Sequence, residues 1–106
     1  MKDNYVVVFI TAPPGDAVSI AKKLIEYRLV ACVNIVREVK SLYRWEGRVV
    51  KIMKHYSYVK TRLDLLRNLI GYVKEIHPYE APEIIALNIS LGNPEYVMWI
   101  EENTMK

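Results

Sequence analysis

The chain carries one cysteine, Cys32, and two histidines, His55 and His77. That short inventory bounds the chemistry. Two histidines exclude a His-rich metal site within one chain, and no Cys-x-x-Cys pair supports a structural zinc. A softer donor set could combine Cys32, His77 and a carboxylate such as Glu83. Thiolate plus imidazole would favour copper over magnesium or calcium. As a nucleophile, Cys32 would need a neighbouring base and an electropositive setting. It lies inside an apolar run, where cysteine behaves as a small buried hydrophobe, so packing is its preferred reading. Gly15 and Gly47 are isolated and match no phosphate-binding loop. No Ser/His/Asp or paired-carboxylate arrangement stands out, and the expectation is a protein that is not an enzyme.

His77 opens the segment His77-Pro78-Tyr79-Glu80-Ala81-Pro82-Glu83. Each proline fixes its own φ and drives the preceding residue out of the helical region. The segment is therefore a rigid corner that must end any helix before it. The preferred reading of His77 is a helix-ending residue bonded to backbone. A second group is Tyr43-Arg44-Trp45, within a stretch from Arg37 to Arg62 that holds eight Lys/Arg against two Glu. Aromatics on a sheet can stack bases. The Arg/Lys-Gly-aromatic signature of RNA-binding domains is absent, however, and a solvated arm is the preferred reading.

The elements that must position these residues follow from periodicity. Tyr5 to Ile10 is a dense β-branched and aromatic run, expected as a strand buried on both faces. Thr11 to Asp16 is a loop, with Asp16 available to cap a helix whose stripe is Ala17, Ile20, Ala21, Leu24 and Ile25, ending near Arg28. Leu29 to Val36 is expected as a central strand, with Cys32 and Asn34 on one face. The chain stays extended to Trp45, turns at Glu46-Gly47, and returns from Val49 to Lys60. Thr61, with Asp64 three residues on, is expected to cap a helix with core residues Leu66, Leu69, Ile70 and Val73, ending near Ile76. Ile84 to Leu91 is expected as a fourth strand, and Asn93-Pro94 as the start of a last short helix.

The order β-α-β-β-α-β plus a terminal helix predicts an α+β, ferredoxin-like sandwich in one domain over residues 1–106. Its two main helices should share one sheet face, leaving the other uncovered within the chain. The hairpin around Gly47 is longer than such a domain needs, and another copy of the chain is the natural surface for it to lie on. Eight tyrosines and two tryptophans against one phenylalanine suit an interface. No segment approaches the ~20 apolar residues of a membrane span, and the first residues lack a signal-peptide layout. The lone cysteine fits a cytoplasmic protein, and the net charge of +3 does not demand nucleic acid.

Together these segments resemble the CutA family of divalent-cation tolerance proteins. The resemblance rests on Thr11-Ala12-Pro13, Leu29-Val30-Ala31-Cys32-Val33-Asn34-Ile35, Ser41-Leu42-Tyr43-Arg44-Trp45-Glu46-Gly47, Lys60-Thr61, His77 to Ile85, and Gly92-Asn93-Pro94 with Tyr96 and Trp99. It implies a homotrimer similar to the PII signalling proteins, with arms pairing between subunits and clefts near the motif residues. It also implies a link to copper and other divalent metals, none of them an essential cofactor, and no catalytic reaction. A eukaryotic relative's association with anchoring acetylcholinesterase leaves room for a protein partner of unknown identity.

On that basis the candidate metal ligands are Cys32, His77 and Glu83, and the candidate cleft residues are Asn34, Tyr43, Trp45, Lys60 and Tyr79. Two positions depart from the family pattern. Val49-Val50-Lys51-Ile52-Met53-Lys54 stands where many members carry an acidic run, and Ile10 stands where some carry a cysteine. Lys60 suits an anion better than a cation, so a sensor of a small anionic ligand is the alternative function. A nucleic-acid module is the weakest reading.

Overall fold

The structure is a computed structural model that describes residues 4–105. Its elements are β1 (Tyr5–Ala12), α1 (Ala17–Glu26), β2 (Cys32–Trp45), β3 (Arg48–Arg62), a 3₁₀ turn (Leu63–Leu65), α2 (Leu66–Ile76), β4 (Ile84–Asn88) and α3 (Pro94–Glu102). The four strands form one antiparallel sheet in the order β2-β3-β1-β4. This is the ferredoxin-like arrangement expected from the element order.

Alternation along β1 sets the layers. Val6, Val8, Ile10 and Ala12 project to one face and meet Ala17, Ile20 and Leu24 of α1 with Leu69 and Val73 of α2. Val59 of β3 completes that core and is fully buried. Ile10 is a core residue. The opposite face of β1 carries half-buried Val7 and Phe9, so the strand is largely covered on both sides as its composition predicts.

Several local expectations are corrected. The apolar run from Leu29 is not a central strand: β2 begins at Cys32 and is an edge of the sheet. Leu29 and Val30 are apolar because they plug the core before the strand starts. The chain reverses there through Arg28, whose φ is 57°, and the Leu29 amide bonds back to the Leu24 carbonyl at 3.1 Å. Asp16 occupies the cap position of α1 but its side chain makes no capping bond. Thr61 does not cap α2. It lies inside β3, and its hydroxyl donates to the Leu29 carbonyl at 2.6 Å. Asp64 is held instead by the Arg62 guanidinium at 2.9 and 3.1 Å. The fourth strand stops at Asn88 rather than Leu91, because its partner β1 begins at Tyr5, whose carbonyl takes the Ile89 amide at 2.9 Å. Asn93 does cap α3, accepting from the Glu95 amide at 3.0 Å ahead of Pro94.

The outer sheet face is not bare. α3 folds across one end of it, and the Tyr5 hydroxyl donates to Glu101 at 2.8 Å. The amphipathic pattern of a nine-residue helix does not say which side of a sheet it will take, so sequence alone leaves this face open. Beyond α3, Ile85 and Leu87 of β4 remain exposed.

β2 and β3 continue past the sheet as a two-stranded arm. Only the His55–Arg62 half of β3 pairs with β1, while Val39–Trp45 and Arg48–Lys54 pair only with each other. A bulge between Val36 and Val39 sets the arm off, with Glu38 at a φ of 59° and its amide donating to His55 Nδ1. Glu46 (φ 49°) and Gly47 (φ 77°) close the hairpin in the doubly left-handed turn that matches strand twist. The arm stretches the chain to 46 × 25 × 22 Å. Its radius of gyration is 14.5 Å, against about 13 Å for a compact chain of this length. No helix among the described residues is long and apolar enough to cross a membrane.

Candidate functional site

Strand register brings Cys32 opposite Lys60, and Asn34 opposite Tyr58, on the outer sheet face. The pairing of Cys32 with Asn34 on one face is as the two-residue spacing predicts. α3 adds Tyr96 from above. Lys60 Nζ lies 3.2 Å from Tyr96 Oη, 3.4 Å from Asn34 Oδ1 and 3.6 Å from Cys32 Sγ. It also sits 5.4 Å from the centre of the Tyr96 ring and 5.7 Å from that of Tyr58, within cation–π range. Cys32 is thus half-buried beside an ammonium rather than packed in the core, which corrects its preferred reading. The cause is its place on the outer face of an edge strand. Burial pulls the Lys60 ammonium down. The Tyr96 hydrogen bond and attraction to Cys32 and Tyr96 outweigh that and hold its proton more tightly than in free lysine.

The corner is a separate place. His77 ends α2 in extended conformation (φ −84°, ψ 141°), as Pro78 requires. Its Nδ1 accepts the Tyr79 amide at 3.0 Å, so the ring hydrogen sits on Nε2, which donates to the Thr11 carbonyl at 2.7 Å. The ring is 8% exposed and both its nitrogens are bonded to backbone, as the structural reading of His77 anticipates. Glu83 accepts the Tyr56 hydroxyl at 2.6 Å. That hydrogen bond, with burial and the carboxylate charge, pushes the phenol above its usual value. The Thr11 hydroxyl, next to this corner, is buried without a partner among the described residues.

The remaining candidates scatter along the arm. Lys54 lies over Tyr43 at 4.9 Å and near Tyr79 at 6.0 Å, which links those two rings. Trp45 stands at the hairpin tip, 63% exposed. One chain therefore gathers Cys32, Asn34 and Lys60, links Tyr43 with Tyr79, and leaves Trp45 alone. Cys32, His77 and Glu83 do not form a cluster: among the described residues no group of three or more His, Cys, Asp or Glu could hold a metal ion. Within one chain the proposed donors do not fit a metal, since His77 has no free nitrogen and Cys32 faces a cation. Sequence reasoning missed Tyr96 and Tyr56 as members of these groups. Neither carries a local signal, because each reaches its partners only through packing of separate elements. A larger groove of ≈ 660 Å³ lies at the base of α3, lined by Tyr5, Ile89, Leu91, Val97 and Met98 among others, and takes in none of the candidate residues.

Comparison with known proteins sets this geometry in a lineage. A family model described as CutA1 divalent ion tolerance protein matches residues 6–103. The divalent-cation tolerance protein CutA of Thermus thermophilus is 50% identical over 99 residues, covering 92% of this chain and 96% of that protein. Protein CutA of Mus musculus is 37% identical over 97 residues, and this chain spans only 55% of its length. Among solved structures, the divalent cation tolerance protein Cut A1 of Thermus thermophilus superimposes with a TM-score of 0.92 at 48% identity, covering 95% of this chain and 99% of that one. With the same fold, half of its residues identical to one relative and a family match over nearly its whole length, the chain belongs to the CutA1 divalent ion tolerance family.

Proposed function

We propose that the protein serves divalent-cation tolerance as a cytoplasmic, non-catalytic homotrimer. The observation that carries this reading is the arm. A two-stranded ribbon is marginal by itself in water, yet this one exposes Leu42, Trp45 and Val49 at 65%, 63% and 67%. Scattered surface apolar residues need no explanation, but a projecting apolar ribbon does. The exposed Ile85 and Leu87 and the groove under α3 offer apolar surface for a second copy of the chain to cover. A head-to-tail contact of this kind closes into a ring when its rotation allows.

Any divalent cation, copper included, is then held between subunits, because the described residues of one chain do not bring three His, Cys, Asp or Glu donors together. The non-catalytic reading is supported by Cys32, whose polar neighbours are an ammonium, an amide and a phenol, with no imidazole beside it. The unpaired cysteine supports a reducing compartment.

Light scattering tests the assembly. A mass of three chains is expected, and a monomer overturns it. Calorimetric titration with copper(II) tests the metal. Heat saturating at a fixed ratio to trimer supports a shared site. Absence of saturable heat removes copper from the reading.

A further inference from the structure

Lys60 is a cation surrounded by neutral groups. The ion pairs among the described residues are those of Arg62 with Asp64 and Glu101, and no aspartate or glutamate pairs with Lys60. An ammonium has only hydrogens to offer. Each neighbour must therefore turn a lone pair towards it, and this fixes how those neighbours point. Asn34 presents its carbonyl oxygen to Lys60 at 3.4 Å, which leaves its two amide hydrogens facing away. Tyr96 presents its oxygen at 3.2 Å, and the hydroxyl hydrogen is left with only the Cys32 sulfur at 3.7 Å, a poor acceptor. Asn34 and Tyr96 are both exposed, so these unused hydrogens look into solvent. The result is a positive charge with no carboxylate partner among the described residues, ringed by outward-pointing donors.

We propose that Lys60, Asn34 and Tyr96 form a binding site for a small organic oxyanion, a carboxylate or phosphate. Hydrogen bonds to an ionised acceptor are about twice as strong as neutral ones. An oxyanion entering the ring would replace three long contacts to neutral acceptors with one short charged contact, and would receive the Asn34 and Tyr96 hydrogens as well. Beside the ring, Tyr96 stacks on Trp99 at 5.5 Å with the planes 26° apart, and both rings are partly exposed. This stack is a platform for the flat body of an organic anion. The same charge argues against a cation at Cys32. Since Lys60 holds its proton more tightly than free lysine, the charge persists at neutral pH. Lys60, Asn34 and Tyr96 all come from one chain, so the failure of this site and the failure of the trimer reading are distinguishable.

The test follows the side-chain amide signal of Asn34 by ¹H–¹⁵N NMR, assigned through Asn34→Asp, in titrations with sodium acetate, sodium benzoate, sodium phosphate and sodium chloride at matched ionic strength. A saturable shift with an oxyanion but not with chloride is expected, with affinity at least about tenfold weaker in Lys60→Gln. Saturation by acetate and benzoate identifies a carboxylate, and saturation by phosphate alone identifies a phosphoryl group. A shift that merely tracks ionic strength, or that persists unchanged in Lys60→Gln, overturns the site. Should Lys60→Gln fail to give a dispersed spectrum, Tyr96→Phe keeps the ring stack and removes only the hydroxyl. Several-fold weaker binding is then expected, and unchanged affinity overturns the proposal.

Discussion

The corner at His77 and the ring around Lys60 contain similar chemistry and have opposite fates. Each places a titratable side chain among tyrosines and backbone. At the corner every strong donor meets a strong acceptor: His77 bonds backbone at both nitrogens, and Tyr56 meets Glu83. Among these groups only the buried Thr11 hydroxyl is left over. Around Lys60 the count does not balance, since a charge meets only neutral acceptors and the neighbours' hydrogens turn outward. Residue types alone would have ranked the corner first, for its imidazole and carboxylates. The balance of donors and acceptors reverses that ranking, because a satisfied polar network stabilises the fold and an unsatisfied one has capacity for a ligand.

The comparison breaks first at His77. His77→Ala would leave the Thr11 carbonyl and the Tyr79 amide without their partner and open a cavity, at a cost of about 3 kcal/mol in chemical denaturation. A loss below about 1 kcal/mol would mean that the corner is not structural. Tyr56→Phe removes the bond to Glu83 and should cost about 1 kcal/mol by the same measurement. Thr11→Val tests the one loose end beside the corner. Replacing the buried, unpartnered hydroxyl with a methyl should raise stability by about 1 kcal/mol, and a loss instead would point to a water bonded there.

Lys60→Met should shift stability by less than about 0.5 kcal/mol, since no ion pair is broken. A large loss would make the Lys60 ring structural and erase the contrast.

The smallest effect is Asp64→Asn. The Arg62 guanidinium holds the Asp64 carboxyl below its ordinary value. A depressed folded pKa contributes stability that is present above about pH 4 and lost as pH falls through the folded value. Asp64 is mostly exposed, so solvent screens the pair and the effect should be a few tenths of a kcal/mol. The variant should lose that part of the acid dependence and little at neutral pH.

Much of the fold was legible in the residues themselves. The element order, the stop of α2 at His77, the turn at Glu46-Gly47 and the Asn93-Pro94 start of α3 are local consequences of proline geometry, positive φ and capping. These act over one to four residues, a range that sequence displays directly. The pairing of Cys32 with Asn34 on one face followed equally from strand alternation. Tertiary structure decided the rest. That β2 is an edge, that Thr61 holds Leu29 instead of capping a helix, and that α3 crosses the outer sheet face are choices among surfaces made by elements far apart in the chain. The Lys60 ring depends on all three, for it takes Cys32 and Asn34 from an edge strand, Lys60 from its neighbour and Tyr96 from a helix 36 residues further on. Donors and acceptors can be balanced only once they meet, and meeting is a property of packing.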